Sequence, residues 1–171
     1  WIVKNYREAY GMFACNGILF NHESTRRGSN FVTNKVVKNS VRIALGFQKY
    51  LEVGNIHAYR DWGHAKDYVI AMEKILNYKK PDDWVVATGQ SRSVAQMINY
   101  VFKKLKINKK KHLKINKKFF RPEELKYLKG DSSKIRKTLK WKPEYTFEQM
   151  LDEMIEFWIK FYTKNLNLKD F

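Results

Sequence analysis

The sequence predicts an α/β chain with a helical C-terminal part, and three observations carry that reading. Apolar residues recur at spacings of three and four in several segments, the longest at 147–162, as helices with one buried face require. Two apolar runs, 13–20 and 84–87, read as buried strands, the second being too short and too uniformly apolar for anything else. A hydrophobic content of 44% with 15% aromatics supplies enough apolar mass for a packed core. That excludes a disordered basic tail despite the formal net charge of +17.

Taken in order, residues 1–10 read as the end of a helix with Trp1, Ile2, Tyr6 and Ala9 on one face. The strand at 13–20 follows, then a polar loop at 21–28. Thr33 is placed to cap a helix whose stripe is Val36, Val37, Ser40, Val41, Ala44 and Leu45, and Gly46 ends it. A short strand at 49–53 and a loop around Arg60 to His64 lead into a helix at 65–77. After the strand at 84–87, Ser93 and Gln96 have capping-box spacing ahead of a helix burying Val94, Met97, Ile98, Val101, Phe102 and Leu105. A strand near 112–116 and a helix near 132–139 come next. Thr146 and Gln149 form a second box before a helix with Phe147, Met150, Leu151, Met154, Ile155, Trp158 and Tyr162 inward. A segment that starts mid-helix and carries a few separate strands is expected to complete a sheet begun upstream.

About half of the surplus charge lies in 103–118, which holds nine lysines, one histidine and no acid. The stretch contains a near-repeat, Lys-Ile-Asn-Lys-Lys at 106–110 and again at 114–118. A nucleic-acid patch is one reading. A solvated loop is favoured, because the chain has 26 lysines to 8 arginines and the stretch has no interleaved aromatics for bases to stack on. No run approaches the roughly 18 apolar residues of a membrane span. The single cysteine, Cys15, excludes an internal disulfide and a Cys-based zinc cluster, and points to the cytoplasm. With Trp rather than Met first and no leader pattern, the sequence reads as a piece of a longer chain.

No Gly-x-Gly turn is present to hold a dinucleotide pyrophosphate, and the four histidines are too far apart for a metal pair on one helix. Tyr100 and Lys104 have the Tyr-x-x-x-Lys spacing in which a cation lowers a phenol pKa. Without a strand and a glycine-rich turn beside them, they read as a coincidence of spacing. The better candidates sit in loops. Asn21, His22, Arg26 and Arg27 follow a strand, where ligands of open α/β sheets bind, and paired arginines suit a phosphate or carboxylate. Arg60 beside Asp61 is a site element or a plain salt bridge, and Arg121-Pro122-Glu123-Glu124 a site element or a turn into a short helix. The residues alone imply an anionic, phosphorylated ligand and nothing narrower.

The segments Asn16 to Ser24 with Arg26-Arg27-Gly28, Asn30 to Thr33, Arg60 to Tyr68, Ala87-Thr88-Gly89, Arg121-Pro122 with Glu124, Gly130-Asp131 and Trp141-Lys142-Pro143 resemble the GDP-mannose 4,6-dehydratase family. The resemblance is collinear over nearly the whole chain. Its Arg-Asp-Trp-x-His block and Trp-x-Pro ending are shared with other extended short-chain dehydrogenases acting on nucleotide sugars.

The resemblance implies the C-terminal part of such an enzyme. Residues 1–30 would end the NADP-binding Rossmann domain, and 31–171 would form mainly the GDP-sugar-binding region, with short segments returning to the Rossmann sheet. It implies a carbon–oxygen lyase that uses NADP to turn GDP-mannose into GDP-4-keto-6-deoxymannose, the first step toward GDP-fucose and related sugars. A homo-oligomer, dimer or tetramer, is expected of the full-length enzyme. Asn21, Val32, Lys35, Arg60, Arg121 and Glu124 would contact GDP-mannose, and His22 and Arg27 the cofactor. The family's glycine-rich turn, catalytic hydroxyl and acid, and Tyr-x-x-x-Lys pair all precede Trp1, so this segment alone is expected to be inactive. Thr25 stands where the family has proline, and 103–118 is shorter and richer in lysine than its counterpart. The alternatives are a basic nucleic-acid-binding module and a non-catalytic GDP-sugar-binding homologue.

Overall fold

The computed structural model describes residues 1–164, so the end of the region expected to run to 171 lies outside the described residues. Along the chain run α1 (Ile2–Tyr10), β1 (Asn16–Leu19), β2 (Asn21–Glu23), α2 (Val32–Ala44), β3 (Leu51–Val53), β4 (Tyr59–His64), α3 (Ala65–Leu76) and β5 (Asp83–Val86). There follow β6 (Ser91–Ser93), α4 (Val94–Lys104), α5 (Lys109–His112), β7 (Leu113–Ile115), a 3-10 turn (Lys117–Phe119), α6 (Ser133–Leu139) and α7 (Phe147–Lys164). The α/β class read from the sequence is the one observed. None of these helices is long and apolar enough to cross a membrane.

The stripes pack into two apolar clusters. In the larger, α2, α4 and α7 bring Val37, Val41, Met97, Ile98, Met150 and Met154 together over Leu51 and Val53 of β3 and Trp62 of β4. In the smaller, Tyr68 and Ile75 of α3 meet Trp84 and Val86 of β5, Ile135 of α6 and Trp141. Trp141 is fixed there by its indole N–H, which donates to Asp67 O at 2.9 Å. Both expected capping boxes form. The Ser93 and Gln96 pair closes at 2.7 and 3.1 Å, and the Thr146 and Gln149 pair at 2.9 and 3.1 Å. Helix α2 ends in a Schellman turn, with Gly46 at φ 79° and the Phe47 amide donating to Arg42 O at 2.8 Å.

Three small sheets hold the strands. β1 pairs with β5 and β3 with β7, both parallel, while β4 is central between parallel β2 and antiparallel β6. Here several expectations fail. Segments 21–23 and 59–64 are strands rather than loops, and β6 was not anticipated. β1 is not buried: its one hydrogen-bonded neighbour among the described residues is β5, and Ile18 remains half exposed. Thr33 does not cap α2. Phe31 occupies that position and Thr33 is buried within the first turn. Ile43 takes the inward place expected of Ala44, which is exposed, and 121–124 contains no helix.

Candidate functional site

Strand alternation builds one cleft. In β4, Arg60 and Trp62 share a face while Asp61 points the other way, and in β2, Asn21 and Glu23 share a face opposite His22. Asn21, Glu23, Arg60 and Trp62 all line a cleft of about 470 Å³. Its second wall is the start of α2, with Phe31, Val32 and Lys35. Its third is the irregular segment carrying Lys118, Phe119, Phe120, Arg121 and Glu124. All six residues expected to contact the sugar nucleotide therefore lie on one surface, joined by Arg27. His22 does not: it stacks on Tyr68 at 5.0 Å, and its Nδ1–H donates to Phe20 O at 2.9 Å. In the neutral ring that leaves Nε2 as the acceptor. Arg26 is not part of the cleft lining.

Asp61 fixes the back of the site. Fully buried, it accepts from the Thr88 hydroxyl, from the Thr88 and Gly89 amides at 2.9 Å each, and from the Gly130 amide at 3.3 Å. It makes no salt bridge with Arg60, which turns to the opposite side. There Arg60 donates to Tyr59 O and Leu125 O at 2.7 Å each and meets Glu124 at 3.4 Å. Asn55 donates to the other oxygen of Glu124 at 2.9 Å. Arg60 and Glu124 thus hold the 121–125 segment over the cleft. The same wall approaches so closely that a Cβ on Gly54 would lie 2.4 Å from Phe119 O, which explains a residue without a side chain there.

Five cations (Arg27, Lys35, Arg60, Lys118 and Arg121) and two acids (Glu23 and Glu124) face the cleft, and their partners differ. Arg27 lies 3.1 Å from Glu23 and 3.5 Å over the Phe31 ring, and its carbonyl accepts from Asn34, itself bonded by Trp158. Lys35 sits 3.4 Å over the Phe119 ring, and burial lowers its ammonium from the ordinary value against the pull of Glu52. Arg60 is tied to Glu124. The side chains of Arg121 and Lys118 have no partner among the described residues. Phe31 offers α2 no side-chain cap and the first turn holds no acid, so the positive end of that helix adds to the field.

Glu23 is a site residue that sequence reasoning missed. Only 1% exposed, it is raised by burial to about 7, with Arg27 opposing. The folded protein therefore holds this proton where the unfolded chain, at 4.5, releases it. The stability Glu23 contributes is complete below the unfolded pKa and is lost as pH rises through 7. Glu23→Gln in the intact protein is expected to gain on the unsubstituted protein between about pH 5 and about pH 8, by on the order of 3 kcal/mol. Urea titrations at the two pH values check this, and parallel behaviour of the two proteins counts against it.

Tyr100 and Lys104 do not form an acid–base pair. Both bind Asp152, at 2.9 and 2.8 Å, and burial with that carboxylate raises the phenol to about 12, opposite to what proton abstraction needs. No group of three or more histidine, cysteine or carboxylate side chains suited to a metal occurs among the described residues.

This mixed α/β chain, with its cation-rich cleft on the shared face of β2 and β4, has the fold of the extended short-chain dehydrogenases. RMD from Pseudomonas aeruginosa, solved with NADPH, superposes with a TM-score of 0.82 at 20% identity, covering 93% of this chain and 52% of that one. DesIV, a dTDP-glucose 4,6-dehydratase from Streptomyces venezuelae solved with NAD and TYD, gives 0.76 at 15%, covering 97% and 48%. The family model described as GDP-mannose 4,6 dehydratase matches residues 1–154, and the chain belongs to that family. It is 51% identical to GDP-mannose 4,6 dehydratase 1 of Arabidopsis thaliana over 156 residues, covering 91% of this chain and 43% of the relative. With the Homo sapiens enzyme it shares 41% over 186 residues, covering 98% and 50%. The chain thus spans about half the length of these relatives.

Proposed function

We propose that the chain supplies the sugar-nucleotide pocket of an NADP-dependent GDP-mannose 4,6-dehydratase, a carbon–oxygen lyase of the cytoplasm acting as a dimer or tetramer. The observation that carries this reading is the cleft itself: a predominantly cationic surface, apolar at Val32, Trp62 and Phe119, beside an uncapped helix start. Arg121 and Lys118, whose side chains have no partner among the described residues, are the groups for the diphosphate. Lys35 adds charge from the opposite wall. Glu124 keeps acceptor capacity for ribose hydroxyls while Arg60 and Asn55 hold it still. Asn21 and Val32 frame the space between.

His22 and Arg27 are the cofactor contacts of this reading, and their chemistry fits. Nε2 of His22 is an acceptor for an amide or hydroxyl, and the Arg27 guanidinium, held by Glu23 and Phe31, is set for a phosphate. When bound, NADP supplies the acceptor for hydride from C4 of the sugar and the donor that returns it to C6. No residue of this chain is assigned a proton transfer. Its work is to bind, orient and neutralise charge.

The test is incubation of the intact protein with GDP-mannose and NADP. A product lighter by one water, reducible by borohydride to a 6-deoxyhexose, is expected. Binding without that product identifies the non-catalytic GDP-sugar-binding homologue instead, and absence of binding contradicts both.

A further inference from the structure

Of the nine lysines of 103–118, all but Lys118 lie outside the roles assigned so far, yet the fold joins them to the cleft. β7 lies alongside β3 in the register Leu51↔Leu113 to Val53↔Ile115, and Asn116 is bonded to Glu52 at 3.0 Å and to Val53 O at 2.8 Å. The next residues make the 3-10 turn whose end, Lys118 and Phe119, is the cleft wall. The near-repeat has a structural cause. Asn108 and Asn116 each use their side chain to accept from an amide two or three residues on, capping successive turns and leaving the flanking lysines outward.

All nine lysines are exposed, and among the described residues only Lys104 is in an ion pair, with Asp152. Lys109 meets a neutral amide and Lys114 the Tyr50 ring at 3.4 Å, so neither charge is cancelled by its contact. The result is a nearly uncompensated positive ribbon ending at the mouth of a cation-lined cleft. We propose that the ribbon leading up to Lys118 is an electrostatic funnel that guides the dianionic sugar nucleotide to the cleft and speeds its association, its lysines other than Lys118 making no contact with the bound ligand. The inference rests on the reading of the cleft as a GDP-sugar site.

Field lines from one sign of charge around a cleft raise association rates by roughly 10- to 1,000-fold, and the effect fades over a Debye length of about 8 Å at physiological salt. Lysines nearest the mouth therefore act at ordinary salt, and the more distant ones at low salt. A single-stranded nucleic acid is the less suitable occupant. Two rings at the ribbon already carry ammonium groups, Lys114 on Tyr50 and Lys35 on Phe119, and the ribbon has no arginine fork for base edges.

The experiment compares the intact protein with its Lys110→Gln, Lys111→Gln, Lys117→Gln triple variant, by stopped-flow tryptophan fluorescence with GDP-mannose at low and at high salt. At low salt the association rate is expected to fall about three- to tenfold, with the dissociation rate changed less than about twofold and the difference gone at high salt. An unchanged association rate, or a loss confined to dissociation, overturns the funnel. So does retention of a single-stranded RNA oligonucleotide that depends on these lysines while the GDP-mannose rate stays the same. Failure of GDP-mannose to bind the unsubstituted protein contradicts the sugar-nucleotide reading itself, and the funnel with it.

Discussion

Asp61→Ala is expected to lower the stability of the intact protein by about 3–5 kcal/mol, because it removes the shared acceptor of several buried donors. The carboxylate is fully buried and connects β4 with the 88–90 turn and Gly130. Nothing nearby replaces it, since Arg60 faces the other side of the strand, and at Gly130 the backbone lies too close for even a Cβ, which would meet that of Ala87 at 2.2 Å. Asp61→Asn keeps one acceptor oxygen but turns an amide toward other N–H groups, so it should recover only part of the loss. The urea midpoint of each variant measures this. A midpoint for Asp61→Ala equal to that of the unsubstituted protein would show that the network is not what holds the back of the cleft.

Arg121→Ala is expected to weaken GDP-mannose binding by about 2–5 kcal/mol with little change in stability, as loss of a charge-assisted partner of a desolvated diphosphate does. The cleft arginines separate on this point. Arg60 is engaged by Glu124 and two carbonyls, and Arg27 by Glu23, whereas the Arg121 side chain has no partner among the described residues to lose. Arg60→Ala should therefore reduce stability as well as affinity. Calorimetric titration with GDP-mannose together with the urea midpoint of each variant distinguishes the two roles. Unchanged affinity in Arg121→Ala takes that residue out of the site.

Helices α2, α3, α4, α6 and α7 were legible in the sequence because each buries one face in an apolar cluster, and two announce themselves with capping boxes; α1 buries no residue, and the short α5 was not anticipated. The Val94 to Phe102 stripe and the Met150 to Ile155 stripe stand where their spacing put them. The strands β2, β4 and β6 were not legible, and for one physical reason: Asn21-His22-Glu23, Arg60-Asp61 and Ser91-Arg92-Ser93 put polar side chains on both faces, and Trp62 of β4 alone does not make an alternating apolar pattern. Without an apolar face, the period-two signal is absent. The pairing of Arg60 with Glu124 across 64 residues has no local signature either. Asn21, His22, Arg27, Arg60, Arg121 and Glu124 stood out as polar or charged groups in expected loops, whereas Val32, Lys35 and the division into substrate and cofactor contacts came through family resemblance. The structure adds that strand alternation separates His22 from Asn21, and that a buried acid, Glu23, sits behind Arg27. Its only sequence trace was the arginine four residues on.

The central claim is that this cleft holds a sugar nucleotide, and the most direct measurement is the crystal structure of the intact protein with GDP-mannose. The account predicts the diphosphate within hydrogen-bonding distance of Arg121, between the start of α2 and the 118–124 wall, with the ribose toward Glu124. GDP-mannose bound elsewhere, with this cleft filled only by solvent, would contradict it.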